Sequence, residues 1–467
     1  MSTNLINRRE FLSNAALIGA AGSTVGAGTL LSSCGGSEGS KLVPLLPESK
    51  WNIPSALPDK AKDGIPLRAG LVGCGGRGSG AACNFLDAGS NLSVVAIGDM
   101  FADRLESCRS VLKEKYNQDI PDDKCFLGFD NYQKVIDAGV DVVILAAPPA
   151  FRAQHFKYAV NAGKHIYVEK PLGVDPVSAR SIIADARNAQ AKGLCVVTGT
   201  QRRSFRCYVE SYKLMQSGLI GEVVGGNVYF NTNMLWFRQK EKDWTDMEWM
   251  IRDWVNWTWL SGDHIVEQHI HDLDVFNWFT GMRPEKALGF GARQRRLTGD
   301  QYDMFDVDYT YPGDIHLHSM CRQIDGCAVK IIERIKGTKG VWYGSYASRN
   351  EIAQSFWDNK GNLLWQWDFE KEKAEHEQTD EFVLNHIVWI NHIRDNNPIN
   401  QAEEVAYSTL TAIMGRMSAY TGTEVTWDEV MSSNMNLVPD NLELKNMDMK
   451  QYTVPVPGSA STRAPRA

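Results

Sequence analysis

The sequence predicts an α/β protein with two domains: a doubly wound α/β domain over 67–200, and an α+β domain over 201–440 whose open sheet is mainly antiparallel. Strand and helix patterns alternate from Arg68 to Gly199, which is typical of a parallel sheet with helices on both faces. One strand, Asp141–Ala147, is almost entirely apolar, as expected where both faces are buried. Beyond residue 222, apolar runs follow each other across Gly and Asp turns, which indicates consecutive strands.

Hydrophobic periodicity sets the expected order of elements in the first domain. Strands are predicted at Arg68–Val72, Leu92–Ile97, Asp141–Ala147, His165–Val168 and Leu194–Gly199, and helices at Gly78–Asp87, Phe101–Tyr116, Phe151–Ala162 and Pro176–Ala191.

The second domain is expected to contain more strands than helices. Asp325-Gly326 predicts a two-residue hairpin turn between two of its strands, and the tail over 441–467 is expected to be irregular. Strands are predicted at Val223–Thr232, Phe305–Tyr311, Ile315–Arg322 and Ala328–Lys336, and helices at about 381–394 and 402–420.

Composition excludes one class of partner. A chain of 467 residues is long enough for two or three domains. Hydrophobic residues make up 43% and charged residues 22%, as in ordinary globular proteins. The net charge of −7 disfavours a polyanionic ligand, so no nucleic-acid partner is expected.

The first 34 residues have the order of an export signal. Arg8-Arg9 precedes a weakly apolar, glycine-interrupted run to Leu31, which resembles a twin-arginine signal; a buried helix after a fortuitous arginine pair is the alternative. The sequence ending at Cys34 resembles a lipobox, in which that cysteine carries the lipid. We therefore expect an exported protein, periplasmic or in the cell envelope, whose only membrane contact is a lipid anchor at Cys34, with 35–66 as a linker.

The eight remaining cysteines show no CxxC spacing and lie mostly in apolar stretches, so buried free thiols are expected. The most suggestive pair, Cys321 and Cys327, flanks Asp325-Gly326. If that turn makes a hairpin, Cys321 faces Lys330, and no disulfide is expected there.

A glycine-rich turn follows the first strand. It matches G-x-G-x-x-G at a strand-to-helix junction, where its glycines allow a tight turn, close approach of a diphosphate, and close helix–strand packing. Amides at the start of the helix can then hold the phosphate charge. A glycine turn with a purely structural use is the alternative. The motif comprises Gly73, Gly75, Gly76, Arg77 and Gly78.

Asp99 stands 21 residues beyond Gly78, at the end of the second strand. A carboxylate there accepts hydrogen bonds from both ribose hydroxyls and repels a 2′-phosphate. No basic residue follows directly, since Met100 and Phe101 come next. The expected cofactor is therefore NAD rather than NADP.

Two further stretches carry candidate catalytic residues. Glu169-Lys170-Pro171 follows the strand His165–Val168, and the carboxyl ends of strands face the ligand crevice in such a fold, so Lys170 could lie beside the nicotinamide. A solvated loop lysine is the alternative. Further along, Glu267 precedes His271 by one helical turn, and a carboxylate so placed can orient an imidazole and tune its pKa.

The same helix pattern leaves other interpretations open. If the helix is continuous, Asp274 and Trp278 share a face with Glu267 and His271. His264, Glu267 and His271 could be metal ligands, but the spacing matches neither H-E-x-x-H nor its inverse, so no metal is expected. For His269, a satisfied core histidine is the alternative.

Together, the glycine turn, Glu169-Lys170-Pro171 and the stretch from Glu267 to Asp274 resemble the Gfo/Idh/MocA oxidoreductases (glucose–fructose oxidoreductase and inositol dehydrogenase type) over roughly 67–420. The wider string around His271 resembles an exported branch of that family. The resemblance implies a Rossmann domain that binds NAD, Lys170 beside the substrate and His271 as general base. The aspartate usual in the family is Glu267 here, which implies a changed substrate geometry.

The resemblance also implies contacts to both ligands. The expected catalytic residues are Lys170, His271 and Glu267. The expected cofactor-binding residues are the glycine motif with Arg77, Asp99, Pro148, Glu169 and Lys170, and the expected substrate-binding residues are Arg203, Asp274 and Trp257.

Six tryptophans lie within 236–259, directly before the catalytic stretch. Aromatic faces can stack on the C–H surface of a sugar, and packing in the core explains several of them equally well. They are Trp236, Trp244, Trp249, Trp254, Trp257 and Trp259.

Three functions remain open. The first is reversible oxidation of a secondary hydroxyl on a sugar, glycoside or polyol with tightly bound NAD, in which His271 removes the hydroxyl proton and Lys170 stabilises the alkoxide. The second resembles glycoside hydrolase family 109, which keeps NAD bound and cleaves a glycosidic bond through transient oxidation. The third is an exported sugar-binding lipoprotein with a vestigial Rossmann domain. A homo-oligomer is expected.

Overall fold

The computed structural model describes residues 53–54, 57–345 and 353–459. The predicted export signal, the Cys34 anchor and most of the linker lie outside the described residues. Those that are described belong to one compact unit, 42–467. Among them, no helix combines the length and the hydrophobicity that crossing a bilayer requires.

The first domain is a parallel sheet of six strands in the order β3-β2-β1-β4-β5-β6, with helices on both faces. All nine elements predicted here are present, and β3 and α3 were not predicted. The strands are β1 (Leu67–Val72), β2 (Leu92–Asp99), β3 (Cys125–Leu127), β4 (Val142–Leu145), β5 (His165–Val168) and β6 (Val196–Thr198); the helices are α1 (Gly76–Asp87), α2 (Ala102–Tyr116), α3 (Asn131–Asp137), α4 (Arg152–Asn161) and α5 (Pro176–Ala191).

The second domain is built on a nine-stranded sheet. Its neighbouring strands run antiparallel except β7 and β10, which confirms the mainly antiparallel expectation. The strands are β7 (Val223–Thr232), β8 (Lys286–Ala292), β9 (Met304–Tyr311), β10 (Ile315–Gln323), β11 (Lys330–Gly337), β12 (Gly340–Gly344), β13 (Ser355–Asp358), β14 (Leu363–Gln366) and β15 (Val425–Thr426).

Helices of the second domain lie mainly in three stretches: after β6, between β7 and β8, and after β14. They are α6 (Arg206–Gln216), α7 (Asp246–Arg252), α8 (Thr258–Ser261), α9 (His264–Glu267), α10 (Ile270–Thr280), α11 (Phe369–Glu375), α12 (Glu381–Arg394), α13 (Ala402–Thr421) and α14 (Trp427–Ser432).

The hairpin predicted at Asp325-Gly326 is wrong. A turn is present there, and Gly326 has a φ of +74°. However, β7 lies between β10 and β11, so that Arg322 and Lys330 both pair with Asn231 from opposite sides. The turn carries the chain around the end of β7, because each neighbouring strand adds about 4.8 Å and a two-residue turn spans only one such step.

The cysteine pair is separated by this arrangement. Cys321 pairs with Phe305 on one side and Phe230 on the other, inside the core, whereas Cys327 is exposed in the turn. Both are free thiols, and their separation follows from strand order rather than from the hairpin register that the sequence suggested.

The two predicted domains share a helix. Trp389 of α12 lies in the core of the first domain, with its ring centroid 6.0 Å from that of Phe85 and 5.9 Å from that of Tyr167. Asn400, which follows this helix, pairs in parallel with Val196 of β6. The predicted boundary at residue 200 therefore separates the two sheets but not the helices that cover them.

The tail is irregular over 441–459, as predicted, apart from one 3-10 turn at Met449–Gln451. It is nevertheless packed on the second domain. The backbone amide of Met247 donates to the carbonyl of Lys445, and the Tyr302 hydroxyl donates to that of Pro455 at 2.9 Å.

Arg203 and Asp274, both expected to bind substrate, form a buried ion pair instead. Arg203 donates to the two carboxylate oxygens of Asp274 at 2.8 and 2.9 Å and to Glu404 at 2.7 Å, and its guanidinium lies over the Trp278 ring. Ser408 completes the shell around Asp274. The pair joins the loop after β6 to α10 and α13, and its polar groups are used in that contact. Its role is structural.

Arg203→Ala should lower the free energy of unfolding by about 3–5 kcal/mol, because it leaves the Asp274 carboxylate buried without its partner. The matched control is Arg187→Ala, since Arg187 forms an exposed pair with Glu403 and its loss should cost at most about 1 kcal/mol. Urea denaturation of both variants measures the difference. An Arg203→Ala protein of unchanged stability and raised substrate KM would contradict the structural role.

Candidate functional site

Packing explains two of the glycines in the turn after β1. Gly73 has a φ of +96°, and a Cβ there would lie 2.5 Å from the amide nitrogen of Ala147. A Cβ on Gly78 would lie 1.7 Å from the carbonyl oxygen of Gly73. The turn and the close approach of α1 to β4 therefore exclude any side chain at these positions.

Gly75 and Gly76 have a different explanation. A Cβ on either would meet no protein atom within 4 Å, and Gly75 has a φ of −68°, which any residue adopts. Neither packing nor backbone conformation requires glycine at these two positions. They border open space at the start of α1, whose first turn has no side-chain cap. This is the arrangement that a dinucleotide diphosphate needs, so the turn fits NAD.

Asp99 closes one side of the turn, at the end of β2. Its carboxylate accepts hydrogen bonds from the amide of Cys74 at 2.7 Å and from that of Phe101 at 2.9 Å. Burial raises the pKa of Asp99, and the two amides together with the charge of Arg104 oppose that rise. Each carboxylate oxygen retains a lone pair for a further donor, which is what ribose recognition requires.

A cavity of about 430 Å³ borders this turn. One wall comes from the first domain and includes the glycine turn, Asp99 and Pro148, as the sequence predicted. The other wall comes from the tryptophan-rich segment, for which the sequence left sugar stacking and core packing both open. That second wall consists of Trp236, Arg238, Ile251, Arg252 and Trp254.

Arg77 and Glu169, both expected to bind the cofactor, are paired with each other. The Nε of Arg77 lies 3.1 Å from a carboxylate oxygen of Glu169, which is almost fully buried. A Cβ on Gly199 would lie 2.2 Å from the other carboxylate oxygen, so the loop after β6 accommodates this carboxylate only with glycine. Arg77 lines the cavity, whereas Glu169 lies behind it and holds Arg77.

Lys170 is bound by Glu267 across the interface between the two sheets. Its ammonium group donates to a carboxylate oxygen of Glu267 at 2.8 Å and to the backbone carbonyl of the same residue. The Lys170 side chain is 13% exposed and that of Glu267 is 9% exposed. The carboxylate expected to orient His271 therefore contacts the lysine, and within the described residues no hydrogen bond joins it to His271.

The continuous helix predicted from Glu267 to Trp278 is wrong. Helix α9 ends at Glu267, and α10 begins at Ile270. The amide of His269 bonds to the carbonyl of His264, five residues back, which widens the chain at this point. His269 is held inward by Ser319 at 2.7 Å, as a satisfied core histidine. The break turns Glu267 toward Lys170.

His271 lies close to two positive charges. Burial lowers its pKa well below the ordinary value, and the charges of Lys170 and Arg202 lower it further. Its Nδ1 is buried and has no hydrogen-bond partner within the described residues. The imidazole is therefore neutral at neutral pH, and it is able to accept a proton.

Arg202, rather than Arg203, belongs to the site. It donates to Asp272 at 2.6 Å and to Glu333, and all three side chains are buried. Tyr208 donates to Glu333 as well. Burial raises the pKa of Glu333 to about 8 and raises that of Asp272, and the charge of Arg202 opposes both rises. The sequence showed two adjacent arginines but not which one faces His271.

Trp257 does not join the site. It is 3% exposed, and its ring packs edge-on against Trp249 and Tyr452. Trp236 and Trp254 are the tryptophans that line the cavity, with ring centroids 6.1 Å apart. Trp257, which was expected to contact the substrate, therefore packs in the core.

Sequence reasoning missed two buried residues of the first domain, Arg152 and His155. Arg152 is buried and donates to the carbonyl of Pro171 at 2.8 Å, beside Lys170, and burial lowers its pKa to about 10. His155 lines the cavity, and burial and Arg152 lower its pKa to about 3. Both lie on α4, which follows Pro148, and only their position after a strand end could have drawn attention to them.

Residues 67–198 match the family model described as "Oxidoreductase family, NAD-binding Rossmann fold". The chain is 27% identical over 236 residues to inositol 2-dehydrogenase from Salmonella typhimurium, and the alignment covers 50% of this chain and 60% of that protein. It is 24% identical to a glycosyl hydrolase family 109 protein from Shewanella pealeana, with 79% of each chain covered.

Two solved structures share the fold. Scyllo-inositol dehydrogenase from Lactobacillus casei, with bound NAD(H) and scyllo-inositol, has a TM-score of 0.57 at 19% identity, covering 77% of this chain and 99% of that one. Aldose–aldose oxidoreductase from Caulobacter crescentus, complexed with glycerol, has a TM-score of 0.60 at 16% identity with the same coverage.

The sequence matches, the parallel sheet and the glycine turn all indicate the same NAD-binding fold. The chain spans only 60% of the length of the inositol 2-dehydrogenases, which leaves its substrate a separate matter. Residues 67–198 belong to the Gfo/Idh/MocA oxidoreductase family and form its NAD-binding Rossmann domain.

Proposed function

We propose that this chain is an NAD-dependent oxidoreductase that oxidises or reduces a secondary hydroxyl of a sugar, glycoside or polyol, with NAD tightly bound. The observation that carries the proposal is the cluster of Lys170, Glu267 and His271 beside the strand ends that border the NAD cavity. In the paired strands β4 and β5, Leu145 lies opposite Val168, so Lys170 lies at the same sheet edge as the cavity wall after β4.

His271 is the general base in this proposal. Alcohol oxidation requires loss of the hydroxyl proton while a hydride leaves carbon, and a neutral imidazole accepts that proton. Burial and two nearby cations keep the His271 pKa low, so the base is free of its proton before the substrate arrives. In the reverse direction the protonated imidazole returns the proton to the alkoxide.

Lys170 stabilises the oxygen that loses its proton. An ammonium group in a buried site favours a developing alkoxide far more than water does. Glu267 holds that ammonium group through two contacts, so its position is set before substrate binds. When bound, NAD supplies the hydride acceptor.

Named relatives support the substrate class. Inositol 2-dehydrogenase from Salmonella typhimurium and scyllo-inositol 2-dehydrogenase (NAD(+)) from Bacillus subtilis are, by name, enzymes of cyclic polyols. The chain covers 60% and 63% of these two proteins, so the specific polyol does not transfer from them. A ring with several secondary hydroxyls is the class of substrate that we propose.

The second candidate is a glycoside hydrolase that oxidises its substrate transiently. It is favoured by the family 109 relative, which matches 79% of this chain against 50% for the inositol 2-dehydrogenase. The same base, cation and cofactor serve both reactions. The two differ in net redox change, since the hydrolase returns its hydride within one cycle.

Export and oligomerisation are further parts of the proposal. The pair Arg8-Arg9 and the sequence before Cys34 support an exported, lipid-anchored protein of the cell envelope. A folded chain that is exported with its cofactor has no need of a free NAD pool outside the cytoplasm. A homo-oligomer is proposed from the family resemblance.

A panel of inositols, aldoses and glycosides tests the function directly. The purified protein should convert at least one member to a keto product that is 2 Da lighter, or accept a keto-sugar as hydride acceptor, as seen by mass spectrometry. Cleavage of a glycoside with no net change in oxidation state would instead support the hydrolase. Absence of turnover together with absence of bound dinucleotide would contradict both.

Lys170→Ala and His271→Ala should each reduce turnover by about 10²-fold or more while NADH binding persists.

For the wild type, kcat/KM for oxidation should stay level through pH 6.5 and fall only at lower pH, because the pKa of His271 is lowered. Lys170→Ala should move that fall to higher pH, since it removes a nearby cation.

The matched control for these variants is His316→Ala, which removes an exposed imidazole on β10 and should leave turnover unchanged. Near-normal turnover in His271→Ala, or a pH profile that His271→Ala leaves unaltered, would overturn its role as the base. A fall in wild-type activity centred at or above pH 6.5 would contradict the lowered pKa.

Asp99 should select NAD over NADP, because its carboxylate bonds to ribose hydroxyls and repels a 2′-phosphate. Fluorescence titration should show NADH binding at least tenfold more tightly than NADPH. Asp99→Asn should reduce the preference for NADH over NADPH. The control is Asp314→Asn, which changes an exposed aspartate in the β9–β10 turn and should leave that preference unchanged. Equal affinity of the wild type for NADH and NADPH would contradict the role of Asp99 in cofactor selection.

A further inference from the structure

The second wall of the cavity has no role in the proposed chemistry. We propose that the segment Trp236–Trp254 covers the adenosine end of the bound cofactor and is attached to the Rossmann domain through Arg252. NAD leaves only when the Arg252 contact breaks. We call this segment the clasp. The inference rests on the proposed function, because it requires NAD in the cavity.

Arg252 is the contact that joins the two walls. It lies at the end of α7, and its guanidinium donates to both carboxylate oxygens of Asp103 on α2 at 3.1 Å. The same group lies 3.8 Å from the centroid of the Phe101 ring, within the range of a cation–π contact. Glu248 holds its other edge at 2.9 Å. The Arg252 side chain is 14% exposed, whereas that of Asp103 is 57% exposed.

The position of the contact identifies the end of the cofactor concerned. Phe101 donates its amide to Asp99, the residue that fits the ribose of the adenosine. Arg252 therefore stacks on the residue whose backbone is bonded to the ribose-binding carboxylate. Lys170 and His271 do not line this cavity, so the clasp leaves the reacting end of the cofactor to a separate approach.

The clasp is held together internally. The Arg238 amide donates to Asp253 at 2.7 Å, and the Trp249 indole donates to the Arg238 carbonyl at 2.7 Å. Asn256 donates to the Trp236 carbonyl and to Asp253. Breaking the Arg252 contacts would therefore release the wall as a unit rather than one side chain.

The charge of this wall suits a dinucleotide. Arg238 and Arg252 line the cavity from the clasp, and Arg104 lines it from α2. Arg238 lies near the Trp236 ring and forms no salt bridge within the described residues, which leaves its charge for the cavity. Arg77 lines the cavity as well, and four arginines around one cavity in a chain of net charge −7 indicate an anionic occupant.

A resident cofactor follows from this arrangement. The sugar or polyol can enter and leave at the Lys170 end while the adenosine end stays fastened. Each hydride taken from one substrate must then be returned on the enzyme, to a second keto-sugar or to the same substrate. The proposed clasp thus favours a redox cycle without exchange of NAD.

The experiment measures release of NADH from the full-length protein by stopped-flow fluorescence, with excess ADP-ribose as competitor. Arg252→Ala should speed release about tenfold, because it removes both the ion pair and the cation–π contact. Asp103→Ala should speed release about threefold, because it removes the ion pair alone. The double variant should release no faster than Arg252→Ala alone, since that variant has already removed the ion pair with Asp103. Asp103 is exposed, so its replacement leaves the core intact.

The matched control is Arg109→Ala, which removes the Arg109–Asp122 pair from the same helix away from the cavity and should leave the release rate unchanged. ADP-ribose, which lacks nicotinamide, should lose affinity in the clasp variants as NADH does. Wild-type release rates in both clasp variants, or additive effects in the double variant, would overturn the clasp. A wild type that binds no NADH would overturn the proposed function with it.

Discussion

The contact of Lys170 with Glu267 is the constraint on which the rest of the site depends. The lysine follows β5 of the Rossmann sheet, and the glutamate ends α9 in the second domain, so this buried ion pair joins the two halves at the site. Removing one partner of such a pair leaves an uncompensated charge, which costs far more than the pair contributes. The helix break after Glu267 and the approach of His271 to two cations accompany this contact.

Charge balance then determines which side chains are available to react. Arg202 is paired with Asp272 and Glu333, and Arg203 is paired with Asp274 and Glu404. The charges of these side chains are used in structural ion pairs. Lys170 keeps one carboxylate partner, and the Nδ1 of His271 keeps none within the described residues. A base without a fixed partner beside a held cation is the combination that proton removal from an alcohol requires.

The sequence predicted local structure and motif positions well, because these depend on neighbours in the chain. The glycine turn, Asp99 and Lys170 all lie at strand ends, where the α/β alternation placed them. What it could not predict depends on strand order and on long-range pairing. Nothing in Asp325-Gly326 shows that β7 enters between the two flanking strands. Likewise, the choice between Arg202 and Arg203 rests on carboxylates far along the chain, Glu333 and Glu404. Helical spacing suggested that Glu267 orients His271, but in the structure Glu267 contacts Lys170 instead.

The tryptophan-rich segment shows how one composition can serve two uses. Trp257 and Trp259 are buried in the core, whereas Trp236 and Trp254 face the cofactor cavity, and no periodicity in the sequence separates the two pairs. Arg252 lies between them, bound to Asp103 and Phe101 on the Rossmann domain. An enzyme that exchanges NAD at each turnover gains nothing from such a contact, because it slows release. An enzyme that returns each hydride before release gains a cofactor that stays in place.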